Sequence, residues 1–428
     1  MPATRRHLLG TIAGVASVTG IAGLAGCSSS CPDSDSPTPE TTVSIRTDPR
    51  GPFETTPAGE WNGFGGDAGN TGYADRSIPD GDLVVRWRTD IDLPATDSGG
   101  LSASAPTVGG GMVVVGDERR VHAYSSRTGA HRWTSDDIAP TANDSIDEHR
   151  AETTAPAVGP AGTVFVGTTD GLVALDGDDG SVRWRNDSIE AAGTPSVADG
   201  TVIALGRDEL LAMGVDGDER WRRTVDRGEE PTSPAIGDER VVAPTESGIL
   251  AVAVGTGERE WNRALQVDTP PVVAASTCLV GTDDGLRAID VSTGDSLWTF
   301  SRGDYRALRS PVVTPETIYT VEQPGEAGAA TFALERTDGE PTPRWCSYVG
   351  DGAVTAATDA FALTSTSLDS GPDSAQSVLA FTTDLGESPW AIEGGSRPWA
   401  WVNPPAIVDG AIVVTTRGGT MVAIGGGD

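Results

Sequence analysis

The chain has 428 residues, with 62 acidic side chains against 30 basic ones and a formal charge of −32. All 30 basic residues are arginine, which excludes Schiff-base lysine chemistry and a P-loop lysine, and the anionic surface disfavours nucleic acid and acidic lipid head groups as partners. An acidic, lysine-free composition points to a salt-loving source, because molar salt shortens the Debye length to ~3 Å and screens the self-repulsion.

Residues 1–26 read as an export address. Arg5 and Arg6 precede a weakly apolar run, Leu8 to Gly26, that holds five glycines. The length alone would allow a membrane-spanning helix, but the arginine pair and the glycines favour a twin-arginine signal peptide. The stretch "LAGC" (Leu24–Cys27) resembles a lipoprotein processing box, in which Cys27 becomes the lipidated N-terminus. Residues 27–57 are rich in Ser, Pro and Asp and read as a flexible tether. The expected location is the outer face of the cell membrane.

The region 58–428 is organised by a repeat. Seven segments run from alanine through a short turn to glycine and then tryptophan, as in "ALDGDDGSVRW" (174–184) and "AIDVSTGDSLW" (288–298). Glycine precedes tryptophan by four residues in six of the seven, and successive tryptophans from Trp87 onward lie 37 to 51 residues apart. Each segment follows a Pro-led apolar start and a β-branched run, the pattern of short strands split by turns. No stretch beyond the leader shows sustained helical periodicity. Repeats of this length match four-stranded propeller blades.

The predicted blade cores lie near 106–133, 156–184, 195–221, 234–261, 271–298, 311–345, 353–390 and 405–428. The last unit stops before its turn and tryptophan, and "DLVVRW" (82–87) supplies the missing strand. The expectation is an all-β, eight-bladed propeller of four-stranded antiparallel blades, with the N-terminal strand closing the last blade. Seven blades are the alternative if the irregular unit near 350–390 collapses. Ring closure removes open edges and predicts a monomer. Trp87, Trp133, Trp184, Trp221, Trp261, Trp298, Trp345 and Trp390 are the expected docking residues between blades.

These segments resemble the tryptophan-docking repeat of the pyrroloquinoline-quinone (PQQ) propeller superfamily, A-x-D-x-x-T-G-x-x-x-W, and "WNGFGGDAGNTGYA" (61–74) resembles its lead-in. The resemblance implies the propeller fold and two functional branches, quinoprotein dehydrogenases and cofactor-free scaffolds. The dehydrogenase branch implies PQQ with calcium, an Asp base and often a vicinal disulfide. No two of Cys27, Cys31, Cys278 and Cys346 are adjacent. The favoured reading is therefore a non-catalytic scaffold with no catalytic, cofactor or metal residues, and a PQQ- and calcium-dependent quinoprotein dehydrogenase is the alternative.

Other chemistry is sparse. His122, His131 and His149 form no metal-ligand spacing. The aspartates of "DGDDG" lack the twelve-residue loop of an EF-hand, and across the repeats their positions also hold Ser, Thr, Ala or Leu. Asn143 and Asn186 are glycosylation acceptors by pattern. The candidate binding face is the set of interblade connections, where Tyr305, Arg306, Arg309, Trp399 and Trp401 place aromatic rings beside arginine. Trp399 and Trp401 are alternatively a plug or cover for the last blade. The partner is an unidentified protein or small ligand.

Overall fold

In a computed structural model of the chain, the described residues are 38–427 except 94–102, 118, 140–154, 190–192, 227–232, 268, 302–307, 326–327, 349–351, 368–375 and 396–401. Eight antiparallel sheets follow one another along the chain, each from one repeat, and together they form the eight-bladed propeller. Blade 4 is representative, with strands Ala235–Gly237, Arg240–Thr245, Gly248–Ala253 and Arg259–Arg263 in that order from inside to outside. Its inner three strands are nearly all buried valine, isoleucine, leucine and alanine, whereas the outer strand is polar except for Trp261. That gradient reflects where each strand sits, since the middle strands bury both faces against neighbouring blades.

The eighth sheet closes the ring. The strand Leu83–Asp90, here β2 in chain order, pairs antiparallel with the last strand, Thr420–Gly426, and brings Trp87 opposite Ala423. The pairing uses the expected segment and extends it by three residues, to Asp90.

The tether expected over 27–57 needs correction at its C-terminal end. Thr41–Ser44 form a strand, β1, which adds to blade 7 as a fifth strand parallel to Trp390–Gly395. Beyond it, the Arg50 and Gly51 amides donate to the carbonyls of Val85 and Arg86 in β2, and Phe53 donates to Arg127 in blade 1. The segment therefore crosses the seam between blades 7 and 8 from outside. A Ser/Thr/Pro composition did not announce this, because the free outer edge of blade 7 supplies the partner carbonyls and amides that the segment's own sequence lacks.

Candidate functional site

Alternating strand direction sorts the connections onto two faces. The Thr-Gly turns, between third and fourth strands, share one face with the turns that follow the inner strands. The interblade connections share the opposite face with the turns between second and third strands.

On the turn face the repeat acts as a docking device. Six indole Nε1–H groups donate to a backbone carbonyl of the following blade at 2.6 to 3.2 Å: Trp87 to Ser126, Trp133 to Gly177, Trp184 to Val215, Trp221 to Val254, Trp261 to Val291 and Trp345 to Thr383. The turn glycine lies flat beneath the same ring. Gly294 sits at φ +73°, and a Cβ placed there would come within 2.6 Å of the Trp261 ring. Glycine is thus required twice over, for backbone conformation and for clearance. The same apposition joins Gly129, Gly180, Gly217, Gly257 and Gly386 to the preceding tryptophan.

Trp298 and Trp390 are the exceptions among the eight expected docking residues. The turn after Trp298 contains two extra residues, and its Gly339 has no neighbour that a Cβ would meet within 4 Å. Trp390 is buried, but blade 8 is closed by a separate strand and has no Thr-Gly turn, so the indole nitrogen of Trp390 is left without a partner.

The acidic turns serve themselves. Asp176 accepts the Asp178 amide through one oxygen and pairs with Arg183 through the other, and Asp179 accepts the Ser181 amide. Thr128, Thr256 and Thr293 accept the equivalent amide through their hydroxyls. This shared role explains why Asp and Thr exchange there. The Asp178 amide and Arg183 hold the Asp176 carboxyl below the usual carboxylate range, and the Ser181 hydroxyl and amide do the same for Asp179.

The lead-in occupies the inside of the ring. Trp61 exchanges two backbone hydrogen bonds with Val108 of blade 1, and the carbonyls of Asn62, Ala68, Gly69, Thr71 and Gly72 accept amides from the inner strands of blades 2, 4, 5, 6 and 7. Ala58 and Ser77 accept amides from Asp409 and Gly410 in blade 8. At its centre Asn70 is buried at φ +59°, and its Nδ2 donates to the carbonyls of Pro234 and Pro271, each at 3.1 Å. Beside it, burial pushes the Asp67 carboxyl above its ordinary range despite bonds from the Thr71 hydroxyl and amide.

His122 is buried and structural. Its Nε2 lies 2.9 Å from an Asp117 oxygen and its Nδ1 lies 3.1 Å from the Thr134 hydroxyl. Burial alone would raise the Asp117 carboxyl, but His122 and the amides of Arg119 and Arg120 outweigh it and hold the group low. His131 shares the Thr134 hydroxyl. Among the described residues, no three His, Cys, Asp or Glu side chains stand together as a metal site. Among them too, no helix is long and apolar enough to cross a membrane. Cys278 is free and fully buried, which pushes its thiol up to about 12. Cys346 is disulfide-bonded, and its partner lies outside the described residues.

Arg5, Arg6, Cys27, Asn143, His149, Tyr305, Arg306, Trp399 and Trp401 lie outside the described residues. The strand Leu308–Val313 carries Arg309 in its backbone pairing with Val321. The connection holding Tyr305 and Arg306 leaves blade 5 after Phe300, and the one holding Trp399 and Trp401 leaves blade 7 after Gly395. The strand ends from which they leave, Phe300 and Gly395, lie on the face opposite the docking turns.

Among curated proteins none matches this chain in sequence. In solved structures it resembles BamB from Moraxella catarrhalis, with TM-score 0.55 and 14% identity over 79% of this chain and 97% of that one. It also resembles the quinohemoprotein alcohol dehydrogenase of Comamonas testosteroni, with TM-score 0.60 and 16% identity over 86% and 80%. The third is Saccharomyces cerevisiae Sqt1, with TM-score 0.57 and 12% identity over 79% and 98%. At such identities these likenesses concern the fold. A family model described as outer membrane protein assembly factor BamB matches residues 117–342, more than half of the sequence, and the chain belongs to that family of PQQ-like repeat propellers.

Proposed function

We propose that this protein is a non-catalytic scaffold, exported by a twin-arginine signal and held at the outer face of the cell membrane by lipid on Cys27. In this reading a protein partner docks on the interblade face, through the connections that carry Tyr305, Arg306, Trp399 and Trp401 and the adjoining strand start at Arg309. The observation that supports it best is how the described polar groups are used. Asn70 and Asn403 spend their side chains on backbone carbonyls that link blades, and Asp67, His122 and Asp117 spend theirs on local bonds within the lead-in and blade 1. The family description, which names an assembly factor, points the same way.

The rival reading is a quinoprotein dehydrogenase, supported by the fold shared with the Comamonas enzyme. One spectrum separates them. Purified protein mixed with PQQ and Ca²⁺ should show neither bound-quinone absorbance nor dye-linked alcohol oxidation, and gaining both would overturn the scaffold reading. For the scaffold itself, a triple Arg306→Ala, Trp399→Ala, Trp401→Ala variant should fold normally yet lose a partner that the wild type retains from membrane extracts.

The lipid anchor has its own test. Of the four cysteines, Cys278 is free and Cys346 is bonded, which leaves Cys27 and Cys31. With Cys27 taken by lipid, Cys31 is the remaining partner for Cys346. Peptide mapping under non-reducing conditions should find Cys31 linked to Cys346, and a Cys27–Cys346 peptide would remove the anchor.

A further inference from the structure

Where blades 7 and 8 meet, on the interblade face, there is a groove of about 420 Å³ walled by the end of β1, by β2 and by the turn Thr416–Thr420. Ile45 contributes an apolar wall, and Arg46, Arg88 and Asp90 supply the charges. In a chain with 62 acids and 30 arginines, a concave site with two guanidiniums and one carboxylate reverses the local sign.

The three charged groups are not equivalent. Asp90 is engaged, since its Oδ1 accepts the Thr420 hydroxyl at 3.2 Å. One amino nitrogen of Arg88 is shared between the carbonyls of Ile45 and Thr47, at 3.4 Å each, which fixes the side chain through long bonds and leaves the rest of its fork open. Arg46 donates its backbone amide to the Ser44 hydroxyl, and its guanidinium has no partner among the described residues. The free fork of Arg46 and the open nitrogens of Arg88 line one groove, and guanidinium groups bind planar oxyanions through such donors.

We propose that this groove binds an oxyanion group, carboxylate or phosphate, of a ligand that approaches the seam. The site is independent of the scaffold reading, because none of its charged residues lies in the connections assigned there to the partner. The charge reversal favours an anionic group here against the net negative charge of the chain.

The test is calorimetric titration of the intact protein, at constant sodium chloride, with inorganic phosphate in one arm and succinate in the other. Saturable binding of either anion is expected, with the tighter arm identifying the ligand as phosphorylated or carboxylic. Arg46→Ala and Arg88→Ala should each weaken it about tenfold, the scale of one charge-assisted hydrogen bond. Arg88→Ala loosens the hold on the Ile45 and Thr47 carbonyls, but Arg46→Ala breaks no side-chain bond among the described residues and should melt like the wild type. Absence of saturable binding by both anions, or unchanged affinity in Arg46→Ala, would overturn the proposal.

Discussion

Trp261→Ala is expected to destabilise the propeller by about 3–5 kcal/mol, the range for deleting a buried aromatic side chain. Trp298→Ala should cost clearly less. Trp261 is 5% exposed, donates to the Val291 carbonyl at 2.7 Å and covers Gly294. Its removal opens a void between blades 4 and 5 and orphans that carbonyl, so transfer, cavity and hydrogen-bond terms add. Trp298 is half-buried and has neither the carbonyl nor the glycine, because the next turn carries two extra residues. Denaturant midpoints at fixed salt measure both. Equal losses would mean that burial alone, and not docking, sets the role of these rings.

Asn70→Ala is the second large effect, expected at about 2–4 kcal/mol for two lost buried hydrogen bonds, one of which leaves the Pro271 carbonyl unpaired while Pro234 keeps the Ser196 hydroxyl. Alanine also pays for a left-handed conformation that asparagine tolerates, since φ there is +59°. Asn70→Gly separates the two contributions: it relieves the backbone, so it should recover about 1 kcal/mol and no more. Thermal melts of the three proteins decide it. A neutral Asn70→Ala would show that the lead-in rests inside the ring without holding it.

Much of this architecture was legible because the repeat is local chemistry. Gly180 four residues before Trp184 encodes a turn and a docking surface within one short segment, and seven segments of this kind, six with that spacing, mark seven of the eight blades. The closing strand was legible for the complementary reason: the final unit lacked a tryptophan strand that Trp87 could supply. The lead-in was recognisable only by resemblance. Its bonds to the inner strands run through backbone carbonyls, so side chains such as Ala68 and Gly69 carry no pattern that marks them. β1 was hidden likewise, since its four residues gain a partner only once Trp390–Gly395 exposes an edge. The Arg46–Arg88 groove joins residues 42 positions apart, and their approach depends on β1, so no spacing rule could find it. The acidic turns were read correctly as turns, and the amide bonds of Asp176 and Asp179 supply the reason.

The path of residues 41–53 has a mechanical consequence. A propeller closed by pairing its two ends has a single joint with no covalent link across it, here β2 against Thr420–Gly426. Any pull that reaches β1 must peel its short parallel pairing from blade 7, then the contacts of Arg50 and Gly51, before it strains that joint. The outer segment thus works as a strain relief, and a load applied at the leading end is dissipated before the ring can open.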